Sequence, residues 1–314
     1  MKKTSRIKQF LLANKTYIIF LALFIICCLL SDKFFSYINL RNILLQQVSP
    51  ILVALGMLMV ILTGGIDLSV GSVMALGSSL TAVLATQMGI DWRVAILIAL
   101  AAGIVMGAFT GFLVAYCNFQ GFVASLAVMT IARGLAYTIT NATPVNLERN
   151  TLNTLTSKDL GYPVIIITLL VFIAFVIVEK YTVYGRIVIA VGSNSEAVKL
   201  SGIRVKRYLL SVYVISGFLS MLAGIFIAAR SNVGNSTIGE GQELDAIAAC
   251  VIGGASLAGG KGSVTKTVIG ALTLALIGNI MNLLSVPAYP QEIIMGFIII
   301  VAVFLQVFTD RGKE

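Results

Sequence analysis

The chain has 314 residues, 58% hydrophobic and only 11% charged, with a formal net charge of +9. A soluble protein carries roughly 25% charged residues, so these charges could not cover a water-facing surface, and a cytosolic globular enzyme is excluded. Histidine is absent, which removes Ser-His-Asp triads, histidine-ligated zinc and HExxH sites.

A mean hydropathy of +1.00 points instead to a polytopic, all-α membrane protein. Ten apolar runs follow in chain order: residues 17–30, 43–62, 70–85, 94–116, 122–140, 164–178, 209–229, 246–258, 264–284 and 293–308. A crossing needs roughly 17–25 residues, so the third and eighth runs are short, and both are rich in Gly and Ser. Such helices are either broken beside a wet cavity or packed closely through small side chains. The basic start, residues 1–15, precedes an apolar run with no small-x-small cleavage site, so the first helix is expected to be retained. With ten crossings, fifteen Lys and Arg fall on the N-terminal side, six fall on the other, and Arg133 lies within a span. The positive-inside rule then places both termini in the cytoplasm. The expected organisation is a cytoplasmic N-terminus (1–15), one transmembrane domain (16–309) and a short cytoplasmic tail (310–314). Cys27, Cys28, Cys117 and Cys250 lie in or beside apolar runs without a CxxC pair, and read as small buried hydrophobes rather than metal ligands. The basic charge is spread over the loops, which speaks against nucleic acid as a partner.

The longest polar segment between runs is 179–208. Its centre, Gly192-Ser193-Asn194-Ser195-Glu196-Ala197-Val198-Lys199-Leu200-Ser201-Gly202, predicts a short helix. Ser193 or Asn194 would cap it, Glu196 would sit in its first turn, and Gly202 would end it in a left-handed conformation. It is either a helix that docks on a partner or a solvated basic connector.

Two glycine-rich segments echo one another: Gly64-Gly65-Ile66-Asp67-Leu68-Ser69-Val70-Gly71-Ser72-Val73, and the stretch from Gly253-Gly254 to Ser263-Val264. Both are expected at the cytoplasmic side, as parallel repeats would be. The second nearly forms a nucleotide-binding loop. The GxxxxGK[ST] pattern fails at Ala255 and Gly262, and no strand precedes it, so ATP hydrolysis by this chain is not expected.

Polar side chains inside the apolar runs form the candidate pathway: Gln46, Gln47, Ser49, Thr130, Arg133, Asn279 and Asn282, joined by Asp67 and Ser69. Asn279 and Asn282, three apart, share a helix face. Amides and hydroxyls there could exchange hydrogen bonds with an uncharged polyhydroxyl solute, or could bind helices to one another. A lone arginine at mid-membrane costs at least ~2.5 kcal/mol, so Arg133 should pair with Asp67 or Asp245, or face water.

The segments Leu62-Thr63-Gly64-Gly65-Ile66-Asp67-Leu68-Ser69-Val70-Gly71-Ser72, 190–203 and 243–264, in this order, resemble the signatures of permease subunits of ribose-type ABC importers. The resemblance runs over about residues 43–308. It implies a non-enzymatic subunit of the bacterial inner membrane that forms the pathway for a monosaccharide, a ribose-like pentose or a hexose. Implied partners are a second permease copy or paralogue, a cytoplasmic ATPase that binds the ATP and Mg, and an extracytoplasmic sugar-binding protein. The resemblance makes Gly192, Asn194, Glu196, Ala197 and Gly202 the coupling loop, and places Arg230, Glu240 and Glu243 where the binding protein docks. An ion-coupled secondary transporter is the alternative, although its spans would usually carry more ionisable groups.

Overall fold

The structure, a computed structural model, describes residues 14–147, 152–157 and 162–311. Most of the basic N-terminus, the loop cations Arg149 and Lys158, and the end of the tail lie outside the described residues. Twelve α-helices dominate: α1 Lys15–Leu30, α2 Tyr37–Leu62, α3 Val70–Ala82, α4 Trp92–Ala115, α5 Gly121–Thr140, α6 Pro163–Tyr181, α7 Val183–Ser193, α8 Ser195–Leu200, α9 Val205–Ser231, α10 Gln242–Ile252, α11 Val264–Leu283 and α12 Ala288–Arg311. Among the described residues, seven stretches are long and apolar enough to cross a bilayer: α2, α3 with its π-helical continuation Val83–Gln87, α4, α5, α6, α9 and α11.

α9 is the central post, and small residues let its neighbours approach. In α4 the buried positions are Ala95, Ala99, Gly103, Gly107, Thr110, Gly111 and Ala115, so six small residues recur every fourth position and form one face. The large apolar side chains Leu97, Val105, Phe109 and Phe112 stand exposed on the remaining surface. This inverts the water-soluble pattern, because lipid gives no hydrophobic drive and close backbone contact supplies the packing. Gly107 shows how close: a Cβ there would collide with the Tyr213 carbonyl and lie 2.9 Å from the Val214 Cα. The matching sites, Gly103 against Met221 and Gly111 against Leu210, make α4 antiparallel to α9. α2 crosses the same post where Gly56 meets Ser216 and the Ser49 hydroxyl donates to the Ala223 carbonyl, at 2.8 Å.

The two short runs resolve differently. α3 is an unbroken, almost wholly buried helix, so its glycines serve packing: Gly77 lies against the Met221 backbone. The eighth run is an 11-residue helix, α10, that begins four residues earlier than expected and ends at Gly253. At 1.5 Å per residue it spans about 16 Å, half of a ~30 Å hydrocarbon core. Re-entrant chain supplies the rest. After α9, Val233–Gly234 pairs antiparallel with Val145–Asn146. The chain then folds back along α3, with the Asn235 N–H donating to Ser78 Oγ at 3.2 Å and Gly239 packed on Gly71. Ser78 and Gly71 are separated by about 10 Å of helix, so α10 starts well inside the protein.

Gly107→Leu should therefore reduce folded, monodisperse protein by an equivalent of ~1–3 kcal/mol or more. Val105→Leu, on the exposed face of the same helix, should be neutral. Thermal unfolding in mild detergent, read by size exclusion, compares the two.

Candidate functional site

α10 carries a polar cleft on either side of its first turn. One, of about 190 Å³, is lined by Gln46, Gln47, Gln242, Asp245, Asn279 and Asn282 among others. Gln242 and Asp245 are three apart and hydrogen-bonded, Nε2 to Oδ2, at 3.2 Å. Asn279 forms a reciprocal amide pair with Asn39 at 2.8 and 3.0 Å. Asn282 accepts from Gln291 Nε2 at 2.9 Å. Gln46 and Gln47 make no hydrogen bond among the described residues, so their amides retain donor and acceptor capacity toward the cleft. This cleft gathers four of the expected pathway residues and adds Gln242 and Asp245, whose i, i+3 spacing at a helix start was the available signal.

The second cleft, about 490 Å³, is lined by Ser72, Thr130, Arg133, Tyr137, Glu240 and Glu243, together with Met129 and two glycines. Arg133 does not pair with Asp67 or Asp245. Its Nη1 donates to the carbonyl oxygens of Ser236 and Ile238 at 2.6 and 2.8 Å. The re-entrant segment 235–241, which has no apolar pattern to announce it, thus supplies neutral acceptors that a search for carboxylates overlooks. Thr130 Oγ1 bonds back to the Leu126 carbonyl of its own helix. Glu240 is exposed and Glu243 half-buried. Arg230 is exposed at the end of α9.

Asp67 belongs to neither cleft. It is 2% exposed, and its Oδ1 accepts from the Ser69 N–H at 3.0 Å and the Ser69 hydroxyl at 2.6 Å. Its Oδ2 accepts from the Ser216 hydroxyl at 2.7 Å. The carboxyl group closes the turn between α2 and α3 on itself and ties it to α9. Ser49, bonded to α9, likewise joins helices.

The echoing glycine segments meet. The Gly260 N–H donates to the Leu62 carbonyl at 3.0 Å, where α2 ends. Gly192, at the end of α7, lies so close to both that a Cβ would collide with the Leu62 oxygen and reach within 2.7 Å of the Gly260 nitrogen. Gly64 and Gly260 hold φ values of +81° and +72°, open to glycine at little cost. The turn after α10 is thus hydrogen-bonded to the end of α2 and packed, backbone against backbone, on the segment leading into α8. In α8 the Asn194 side chain caps the helix through the Ala197 N–H at 3.0 Å, Glu196 sits in the first turn, and Gly202 is left-handed at φ +80°. Val198 points inward and Leu200 outward at 87% exposed. The preceding helix α7 lay within a segment that looked merely polar.

Residues 39–303 match the family described as "branched-chain amino acid transport system / permease component". The ribose import permease protein RbsC of Escherichia coli K12 is 42% identical over 98% of this chain and 96% of its own. RbsC of Bacillus subtilis is 40% identical over 94% and 92%, and the L-arabinose transport system permease protein AraH of E. coli K12 is 34% identical over 95% and 91%. No solved structure matches. The chain belongs to this permease family and is a multi-pass membrane subunit of a bacterial ABC importer, not an enzyme.

Because Arg133 and Asp67 share no partner, Arg133→Met and Asp67→Leu should have additive effects within ~0.3–0.5 kcal/mol. Asp67→Leu and Ser216→Ala, which remove two ends of one bond, should couple by ~0.5–3 kcal/mol. Thermal stability of the purified variants decides both cycles.

Proposed function

We propose that this chain forms the translocation pathway for a pentose of the ribose type, imported by ATP hydrolysis on separate chains. α1–α6 and α9–α12 make ten crossings of a single domain, 16–309, with both termini and the coupling loop 179–208 in the cytoplasm; the fifteen-to-six distribution of Lys and Arg supports this orientation. Full-length identity to permeases named for ribose and arabinose supports the sugar. The family description names amino acids instead. The smaller cleft beside α10 supports the sugar, since it sets the amides of Gln46, Gln47, Gln242, Asn279 and Asn282 around a single carboxyl group, Asp245, a lining that suits the hydroxyls of an uncharged polyol.

The observation that carries the reading is the placement of α10. Its first turn borders both polar clefts, and the glycine turn after its last residue packs against Gly192, three residues before the helix α8. A cytoplasmic ATPase that displaces α8 would therefore displace α10, and with it Gln242, Glu243 and Asp245. Exposed Leu200 is the apolar anchor for the ATPase, with Asn194, Glu196, Ala197 and Gly202 shaping the docking helix. ATP and Mg reside on that partner. A second permease copy or paralogue completes the pathway. Arg230, exposed at the end of α9 on the opposite side, meets the sugar-binding protein, where charge complementarity sets encounter rate and register. Such a subunit works by alternating access, since ATP shifts the equilibrium only through its preference for one state.

Proteoliposomes containing this chain, its ATPase and its binding protein should take up labelled ribose only with ATP, unaffected by a protonophore. Uptake that survives without ATP and collapses with the protonophore would overturn the reading. Leu200→Asp and Glu196→Lys should leave membrane yield unchanged, while uptake and ATPase co-purification each fall about tenfold, equivalent to ~1.4 kcal/mol of docking energy.

A further inference from the structure

A third cavity is of a different chemical kind. It holds about 470 Å³ and is lined by Met59, Ile104, Ala174, Phe175, Val214, Phe218 and other apolar side chains, with Tyr184 at one end. α4 and α6 flank it and α9 forms its floor. The volume lies within the roughly 300–1,000 Å³ of small-ligand sites. The interior presents no polar group to a sugar, so the solute cannot be its occupant.

What distinguishes this groove from ordinary lipid-facing surface is how it ends. Tyr184 donates to or accepts from the Ser211 hydroxyl at 2.7 Å, and its ring tilts against Tyr208 at 5.6 Å. On α9 the groove residues Val214, Ile215 and Phe218 continue one helix face back through Ser211 to Arg207, at spacings of three and four. Arg207 is exposed, as are Lys180, two residues beyond the groove residue Val178, and Arg186, two beyond Tyr184. The acidic neighbour, Glu179, is turned away and accepts from the Val264 N–H at 3.0 Å. From Arg207 to Leu219 the face extends about 18 Å, comparable to one leaflet of a ~30 Å hydrocarbon core. Apolar walls, an aromatic pair at the interface level and cations beyond it form the profile of a phospholipid with a negative head group.

We infer that the groove between α4, α6 and α9 binds one anionic glycerophospholipid, its acyl chain along Phe175 and Phe218 and its phosphate beside Arg207. This site is independent of the solute carried. The occupant braces α6, which otherwise has few buried side chains (Val164 and Thr168 in nineteen residues), against the α9 post.

Native mass spectrometry of the purified full chain, titrated with phosphatidylglycerol or phosphatidylcholine of identical acyl chains, tests this. The wild type should retain one phosphatidylglycerol with at least fivefold preference, the value of about one surface cation, ~1 kcal/mol. Arg207→Glu should abolish the preference while still admitting either lipid. Ala174→Phe, which fills the groove, should remove the bound lipid altogether. Both variants should remain monodisperse by size exclusion; Arg207→Gln serves if charge reversal disturbs folding. Equal retention of the two lipids by the wild type, or undiminished phosphatidylglycerol binding in both variants, would overturn the assignment.

Discussion

Close contact between glycine and alanine faces is the constraint on which the rest of this structure depends. Within a bilayer, large apolar side chains gain little by turning inward, so they face lipid and the backbones approach one another. The stripe Ala95-Ala99-Gly103-Gly107-Gly111-Ala115 seats α4 on α9, and the seating of α2 and α3 on the same helix fixes the axis around which everything else is arranged. Only then can an 11-residue helix stand in the interior with irregular chain at both ends. Its flanking segments find hydrogen-bond partners on these helices, at Ser78 and at the Leu62 carbonyl, as backbone at membrane depth must.

The function we propose follows from where that short helix sits. A helix crossing the whole bilayer would have to slide past its neighbours to change a mid-membrane cleft. α10 needs only to tilt, because it is held by glycine turns rather than by a continuous hydrogen-bonded ladder. In the proposed function its polar first turn and the glycine turn that follows it separate two tasks, contact with solute and contact with the coupling segment. Arg133 holds the re-entrant chain through two carbonyls, and Asp67 holds the α2–α3 turn through Ser69 and Ser216. Buried Asp67 and half-buried Arg133 therefore maintain the frame around α10 from different sides.

Much of this was legible from residues alone. Nine of the ten apolar runs lie in helices over almost their whole length, because long apolar stretches have few other options in lipid, whereas the eighth, 246–258, leaves its helix at Gly253. The α8 helix was legible for a local reason, since Asn194 and Gly202 carry capping chemistry in themselves. What stayed hidden is non-local. Nothing in Gln242 or Asp245 reveals that they face Gln46 and Asn279, and the partners of Arg133 are backbone oxygens, which every residue possesses. The echo of the two glycine segments was visible, but their meeting at Gly192 required the fold. α7 was missed because its apolar residues are interleaved with Gly, Arg and Tyr over only three turns.

The central claim is that the coupling segment and the turn after α10 move as one body. The most direct measurement joins them covalently: Ser193→Cys with Lys261→Cys, in a chain whose Cys27, Cys28, Cys117 and Cys250 are replaced, bridged by a short thiol-reactive linker. If the joint is rigid, the cross-linked permease should keep ATP-driven uptake close to that of the unlinked protein. Loss of uptake on cross-linking, restored when a cleavable linker is cut, would mean that the two segments must separate during transport, and would contradict the account.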